Sequence, residues 1–207
     1  MGIRDDYLSV ADLAVTLLKD PAVASKWDEP SALEDYSVGG VAAHLANQIF
    51  HITQATPSSD PAISLAENYA QAAWVGEDAS HEVNVEIRWR SENVAVEGVS
   101  VLIGHVEEAL AGVRSLVAEA PADLVVSMTS GRSLTFDDFL TTRLLELVVH
   151  SDDLAVSVGV PTPPAPESAV ATVVDVLSRL AVRRHGATAV LRALSRAERA
   201  PARISAL

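Results

Sequence analysis

Apolar residues recur along most of this chain at the three-and-four spacing of a single helix face, and that pattern divides it into helices. Tyr7, Val10, Leu13, Leu17 and Leu18 predict a first helix over about residues 4–19, ended by Asp20-Pro21. A connection containing Trp27, Pro30 and Ser31 follows. Ser37 then stands as the N-cap of a second helix reaching about Ala55, with Val38, Val41, Leu45, Ile49 and Ile52 on one face. Pro57-Ser58-Ser59-Asp60-Pro61 breaks the chain. About residues 63–75 read as helical, and a long helix is expected from about Ser91 to Glu119. Val83 to Trp89, just before it, alternates enough to imitate a strand.

Pro121 stops the long helix, Leu124 to Met128 reads as a short extended piece, and Ser130-Gly131-Arg132 as a turn. Thr135, with Asp138 three residues on, opens a helix running to Gly159, where Pro161, Pro163, Pro164 and Pro166 forbid continuation. Another helix spans about Glu167 to Arg184, and Gly186 precedes a short basic one. Four substantial helices with few strand signals predict an all-α fold, an antiparallel four-helix bundle with additional C-terminal helices. Residues 1–160 read as the bundle and 161–207 as a helical extension packed on the same domain.

Composition agrees with that reading. Hydrophobic residues are 49% of the 207 and aromatics only 4%, so the core must be built from Ala, Val and Leu, which suits close-packed helices. The formal net charge of -13 argues against nucleic acid or an anionic membrane as partner. Arg183, Arg184, Arg192, Arg196, Arg199 and Arg203 make the C-terminal end locally basic, at spacings that fit a solvated helix face. The absence of cysteine excludes disulfides, thiolate zinc fingers and cysteine nucleophiles. With no signal-peptide pattern and no apolar run of membrane-spanning length, a cytoplasmic location is expected.

One helix breaks its own pattern. Between Thr141 and Leu154 it is strongly apolar, yet Phe139, Arg143, Glu146, His150 and Asp153 form a stripe at spacings of four, three, four and three. Charges on such a seam cost several kcal/mol each unless something pairs with them or binds there. Imidazole nitrogen and carboxylate oxygen are ordinary zinc ligands, so a metal explains the stripe economically. Glu-x-x-x-His alone is weak, since an i,i+4 ion pair has the same spacing and Glu77 with His81 repeats it in a segment without apolar surroundings. A third ligand is needed, and His44, within Val41-Ala42-Ala43-His44-Leu45-Ala46, is the best candidate. Gln48 and His51 continue its stripe and are candidates to contact a cofactor, core packing being the competing reading for His51. His81, His105 and His185 read as structural or exposed. No phosphate loop, Gly-x-Ser-x-Gly elbow or His-Glu-x-x-His helix is present.

Trp27, Ser31-Ala32-Leu33, the run Tyr36 to Ala46, the run Thr142 to Leu154, Arg184-His185-Gly186 and Leu191-Arg192-Ala193-Leu194 together resemble the mycothiol-dependent maleylpyruvate isomerase family, within the DinB-like superfamily of metal-binding four-helix bundles. The resemblance implies a zinc-type ion on His44, Glu146 and His150, with a position open for a low-molecular-weight thiol, mycothiol. It implies a functional aspartate at Asp153, and a thiolate that acts on a small electrophilic substrate by isomerisation or S-transfer. The isomerase proper adds a C-terminal domain with a functional arginine that has no motif-matched counterpart here. Arg143 stands as its candidate replacement in anion binding, with a salt bridge to Glu146 as the other reading. A non-catalytic metal-binding bundle of stress-related role is the alternative, and monomer and homodimer both stay open.

Overall fold

The computed structural model describes residues 2–72, 80–128 and 130–206. The first helix, α1 (Ile3–Leu18), buries Tyr7, Val10, Ala11, Ala14, Leu17 and Leu18 on one side. Asp20-Pro21 does more than end it. The Asp20 carboxylate accepts from the Ala22 N–H and Pro21 takes the first helical position, so the pair opens a short α2 (Pro21–Ser25). Ser37 caps α3 (Val38–Thr53) by accepting from Gly40 N–H at 2.9 Å. The expected helix over 63–75 is realised as α4 (Leu65–Ala70), its last three residues lying outside the described residues, as does Glu77.

The long helix expected from Ser91 to Glu119 is two helices, α5 (Glu82–Ala95) and α6 (Val99–Glu119). Gly98 separates them with φ +87°, a conformation that residues with a Cβ rarely adopt. The strand-like stretch Val83 to Trp89 is helical. Only Ser91 and Ala95 are buried along α5, so it carries almost no apolar face for a periodicity to reveal. The expected extended piece is strand β2 (Val125–Ser127), flanked in an antiparallel sheet by β1 (Thr56–Pro57) and β3 (Ser133–Thr135). The turn between β2 and β3 has Gly131 at φ +79°. Thr135 caps the next helix, α7 (Phe136–Val158), by accepting from Asp138 N–H, and a left-handed Gly159 ends it. Two helices remain, α8 (Glu167–His185) and α9 (Ala187–Ser195). The six C-terminal arginines are exposed.

Helices α1, α7, α3 and α6 pack in that order around a closed ring, while α8 lies on α7 and α1 and α9 lies on α8. Specific contacts give the directions. Arg4 binds Asp137 and the Ala120 carbonyl, so the start of α1 meets the start of α7 and the end of α6. Gln48 near the end of α3 meets Arg143 near the start of α7, so those two run antiparallel. The segment 54–98 is a long crossover that returns the chain to the end where α3 began. Within it, α5 packs along α3 and delivers side chains to its surface. The core is aliphatic as composition required, with Leu18, Leu45, Leu140, Leu144, Leu145, Leu147 and Leu154 among the largest fully buried side chains.

Two glycines hold α5 against α3. A Cβ on Gly39 would lie 2.7 Å from the Trp27 ring, and one on Gly40 would overlap the Glu92 carboxylate. Trp27 donates from Nε1 to the Ala95 carbonyl at 3.1 Å. Glu92 accepts from the Ser37 N–H at 2.8 Å and hydroxyl at 2.7 Å, placing negative charge at the N-terminus of α3. Among the described residues no helix is long and apolar enough to cross a membrane.

Candidate metal centre

Helices α3 and α7 bring together the three residues the sequence singled out. His44 Nε2 lies 3.1 Å from His150 Nε2, His150 Nε2 lies 3.1 Å from Glu146 Oε2, and His44 Nε2 lies 3.7 Å from the same oxygen. The two imidazoles meet edge to face, with ring centres 4.4 Å apart. Glu146 and His150 face α3 because they are one turn apart on α7. Leu144, Leu145 and Leu147 around them are fully buried.

Both imidazoles are aimed from behind. His150 Nδ1 donates to Asp153 Oδ2 at 2.8 Å, fixing the ring with Nε2 toward Glu146. Asp153 thus orients His150, and it also accepts from Ser157 through its carbonyl. His44 Nδ1 faces Ser91 Oγ at 3.4 Å, while Ser91 donates to the Ile87 carbonyl and so is free to accept. Tyr36 sets its ring edge-on to His44 with centres 6.2 Å apart. Burial pushes the Tyr36 phenol up to about 12. Tyr69, buried, is raised by burial and then by the Glu146 charge.

The protonation pattern is consistent with these contacts. Burial and the charge of His150 lower His44, which stays neutral and accepts at Nε2. Burial opposes charge on His150 too, but its hydrogen bonds to Asp153 and Glu146 win and hold it at about 9. Glu146 is held well below the usual carboxylate range: burial opposes this, and the bond from His150 together with the His150 charge overcomes it. A single proton on His150 Nε2 therefore sits where three electron-pair donors converge.

Donor type and spacing fit a metal ion. Ligands about 2.0–2.1 Å from a tetrahedral zinc lie roughly 3.3 Å from one another, and the edges here are 3.1, 3.1 and 3.7 Å. Among the described residues, His44, Glu146 and His150 are the group that could hold an ion. His51 is elsewhere. Its Nδ1 accepts from Arg143 Nη1 at 3.3 Å, and burial followed by the Arg143 charge lowers it to about 4. Gln48 is buried, accepts from Arg143 Nη1 at 2.7 Å and donates to the His44 carbonyl at 2.8 Å. The salt bridge weighed between Arg143 and Glu146 does not form. His81 caps α5, and His105 lies on the exposed side of α6.

The sequence reading missed Ser91, Tyr36 and Tyr69. Ser91 lay within a segment whose pattern was indistinct, Tyr36 was read only as the start of a run that carries the family resemblance, and Tyr69 stands in a short helix without a motif of its own.

Comparison with known proteins bears on this arrangement. The model of the mycothiol maleylpyruvate isomerase N-terminal domain matches residues 10–155, which hold the latter part of α1, all of α3 and α6 and nearly all of α7. The crystal structure of the mycothiol-dependent maleylpyruvate isomerase superposes with a TM-score of 0.53 at 16% identity, over 87% of this chain and 72% of that one, a likeness of fold. No curated protein matches. With the family model spanning well over half of the sequence, the chain belongs to the family of the mycothiol maleylpyruvate isomerase N-terminal domain.

Proposed function

We propose that this protein is a divalent-metal-dependent enzyme in which His44, Glu146 and His150 hold a zinc-type ion. Mycothiol is its thiol cosubstrate, and the reaction is an isomerisation or S-transfer on a small electrophile. The observation that carries the reading is the convergence of two imidazole nitrogens and one carboxylate oxygen within 3.7 Å on facing helices. The fold neighbour is a mycothiol-dependent isomerase, which supports the thiol. An ion at this position supplies the positive charge that keeps a bound thiol deprotonated at neutral pH.

The chain's own residues do the rest. Asp153 and Ser91 fix the two rings so that both Nε2 atoms point at one place. Leu144, Leu145 and Leu147, beside Glu146 in the sequence of α7, are fully buried, so that ligand stands in an apolar stretch of the helix. Residues 1–160 form the unit that carries the site, and 161–207 extend it. A closed structural site would need His51 or Asp153 as a fourth ligand. Asp153 is committed to the far nitrogen of His150 and His51 to Arg143, which favours the catalytic reading.

Metal and proton compete for His150 Nε2, and this gives a test. His150 is charged up to about pH 9 in the ion-free chain, so each ion bound at neutral pH should release one proton. Apparent zinc affinity should rise about tenfold per pH unit between roughly 6.5 and 9, then level off. The sign for stability is the converse. A raised histidine pKa stabilises the ion-free fold below about 6.5 and the contribution is lost as pH rises through about 9, so added zinc should raise the melting temperature most at the alkaline end. Calorimetric titration in buffers of different ionisation heat measures the proton release. An affinity flat across that window would contradict the ligand assignment.

A further inference from the structure

Behind α7 lies a cavity of about 260 Å³, walled by Val10 and Leu13 of α1, Val148 and Ser151 of α7, Pro163 of the linker and Val170 of α8. Asp152 and Thr162, both exposed, stand where it meets solvent. It is separate from the metal centre. By helical geometry Val148, Ser151 and Asp152 lie on the side of α7 roughly opposite Glu146, His150 and Asp153. The space stays open because the linker is stiff and tied down. Pro161, Pro163, Pro164 and Pro166 restrict its backbone. Thr162 Oγ1 donates to Asp152 Oδ1 at 2.5 Å near one end, and Ser168 Oγ donates to Oδ1 of the buried Asp6 at 2.6 Å just beyond the other.

Ser151 is the unusual residue in this wall. It is 6% exposed, and its hydroxyl is buried with no hydrogen-bond partner among the described residues. A helical serine can satisfy itself on the carbonyl four residues back, as Ser91, Ser157 and Ser195 do. Ser151 does not, so its proton and its lone pairs are unspent beside the cavity. A buried polar group in that state is costly until something bonds it.

We propose that this cavity is a second binding site, for a small neutral molecule with an apolar body and one hydroxyl, of the phenol or short-chain alcohol class. The aliphatic walls bury the body, and Ser151 supplies the single polar contact that fixes its orientation, the usual division of labour in a small-molecule site. A serine hydroxyl both donates and accepts, so it pairs with a ligand hydroxyl in either sense. An apolar cavity of about 150 Å³ already admits benzene, so this larger one has room for a ring with a substituent. The Asp152 carboxylate at the mouth selects against anions.

The probe is phenol, titrated into the full-length chain and followed by methyl NMR, with toluene and benzoate as controls. Phenol should shift the methyl signals of Val10, Leu13, Val148 and Val170, while Val38 and Val41 of α3 stay in place. Ser151→Ala should weaken phenol about three- to tenfold, the loss of one neutral hydrogen bond, and leave toluene unchanged. Val170→Phe, which fills the cavity from a position 40% exposed, should abolish binding of both. Benzoate should leave the signals unmoved at concentrations where phenol saturates, and zinc affinity should be the same with and without phenol. Methyl signals unmoved by excess phenol, or phenol affinity equal in wild type and Ser151→Ala, overturns the site. Displacement of phenol by zinc would put the phenol at the metal centre and overturns it too.

Discussion

His44→Ala is expected to lower zinc affinity by about a hundred- to a thousandfold. Structural zinc sites with four ligands bind with roughly 10–16 kcal/mol, about 2.5–4 kcal/mol per ligand, which is of the order of that factor. His44 supplies one of three donors, and no described histidine or carboxylate stands near enough to replace it. The rise in melting temperature on adding zinc should vanish with it. Asp153→Asn makes the graded comparison. It leaves all three donors in place and removes only the carboxylate behind His150, so the loss should be about 10–100-fold. Calorimetric zinc titration of both variants checks the ranking. Equal losses would mean that Asp153 acts as a ligand rather than as the group that orients one.

Gly39→Val should destabilise the protein by about 3 kcal/mol, lowering the melting temperature by roughly 6–12 °C. The new Cβ would sit 2.7–3.0 Å from three atoms of the Trp27 ring. That ring cannot swing aside without surrendering its bond to the Ala95 carbonyl at the end of α5. The damage should therefore reach Ser91, four residues back on the same helix, and through it the aim of His44. Helical glycine is not intrinsically required. Gly104 on the exposed face of α6 has nothing within 4 Å of an added Cβ, so Gly104→Ala should stabilise by about 0.5–1 kcal/mol. Opposite signs in thermal melts of the two variants would show that packing against Trp27, and not helix propensity, governs Gly39.

What could be read before the fold was known follows from how loudly each residue contradicts its surroundings. Glu146 and His150 stood out because they interrupt a run of leucine and valine, and His44 because it interrupts an alanine-rich one. Burial on both facing helices is what made them conspicuous. Ser91 was silent. A small hydroxyl on a helix that buries only two residues leaves no periodicity, and its partner His44 lies 47 positions away. Gly98 was equally quiet, because a glycine that splits a helix differs from one inside it only in φ. Arg143 was found on its stripe but its partner was open, since spacing on α7 offered Glu146 at i+3 while Gln48 and His51 come from α3. Strands β1 and β3, of two and three residues, are set by pairing with β2 rather than by any pattern of their own.

The central claim is that three side chains hold an ion with a position left for a thiol. X-ray absorption at the zinc edge tests it directly, because the chain has no cysteine. With one equivalent of zinc, the spectrum should fit nitrogen and oxygen neighbours at about 2.0–2.1 Å, and a sulfur shell at about 2.3 Å should appear only when mycothiol is added. Zinc that fails to bind stoichiometrically, or a coordination sphere that mycothiol leaves without sulfur, would contradict the account.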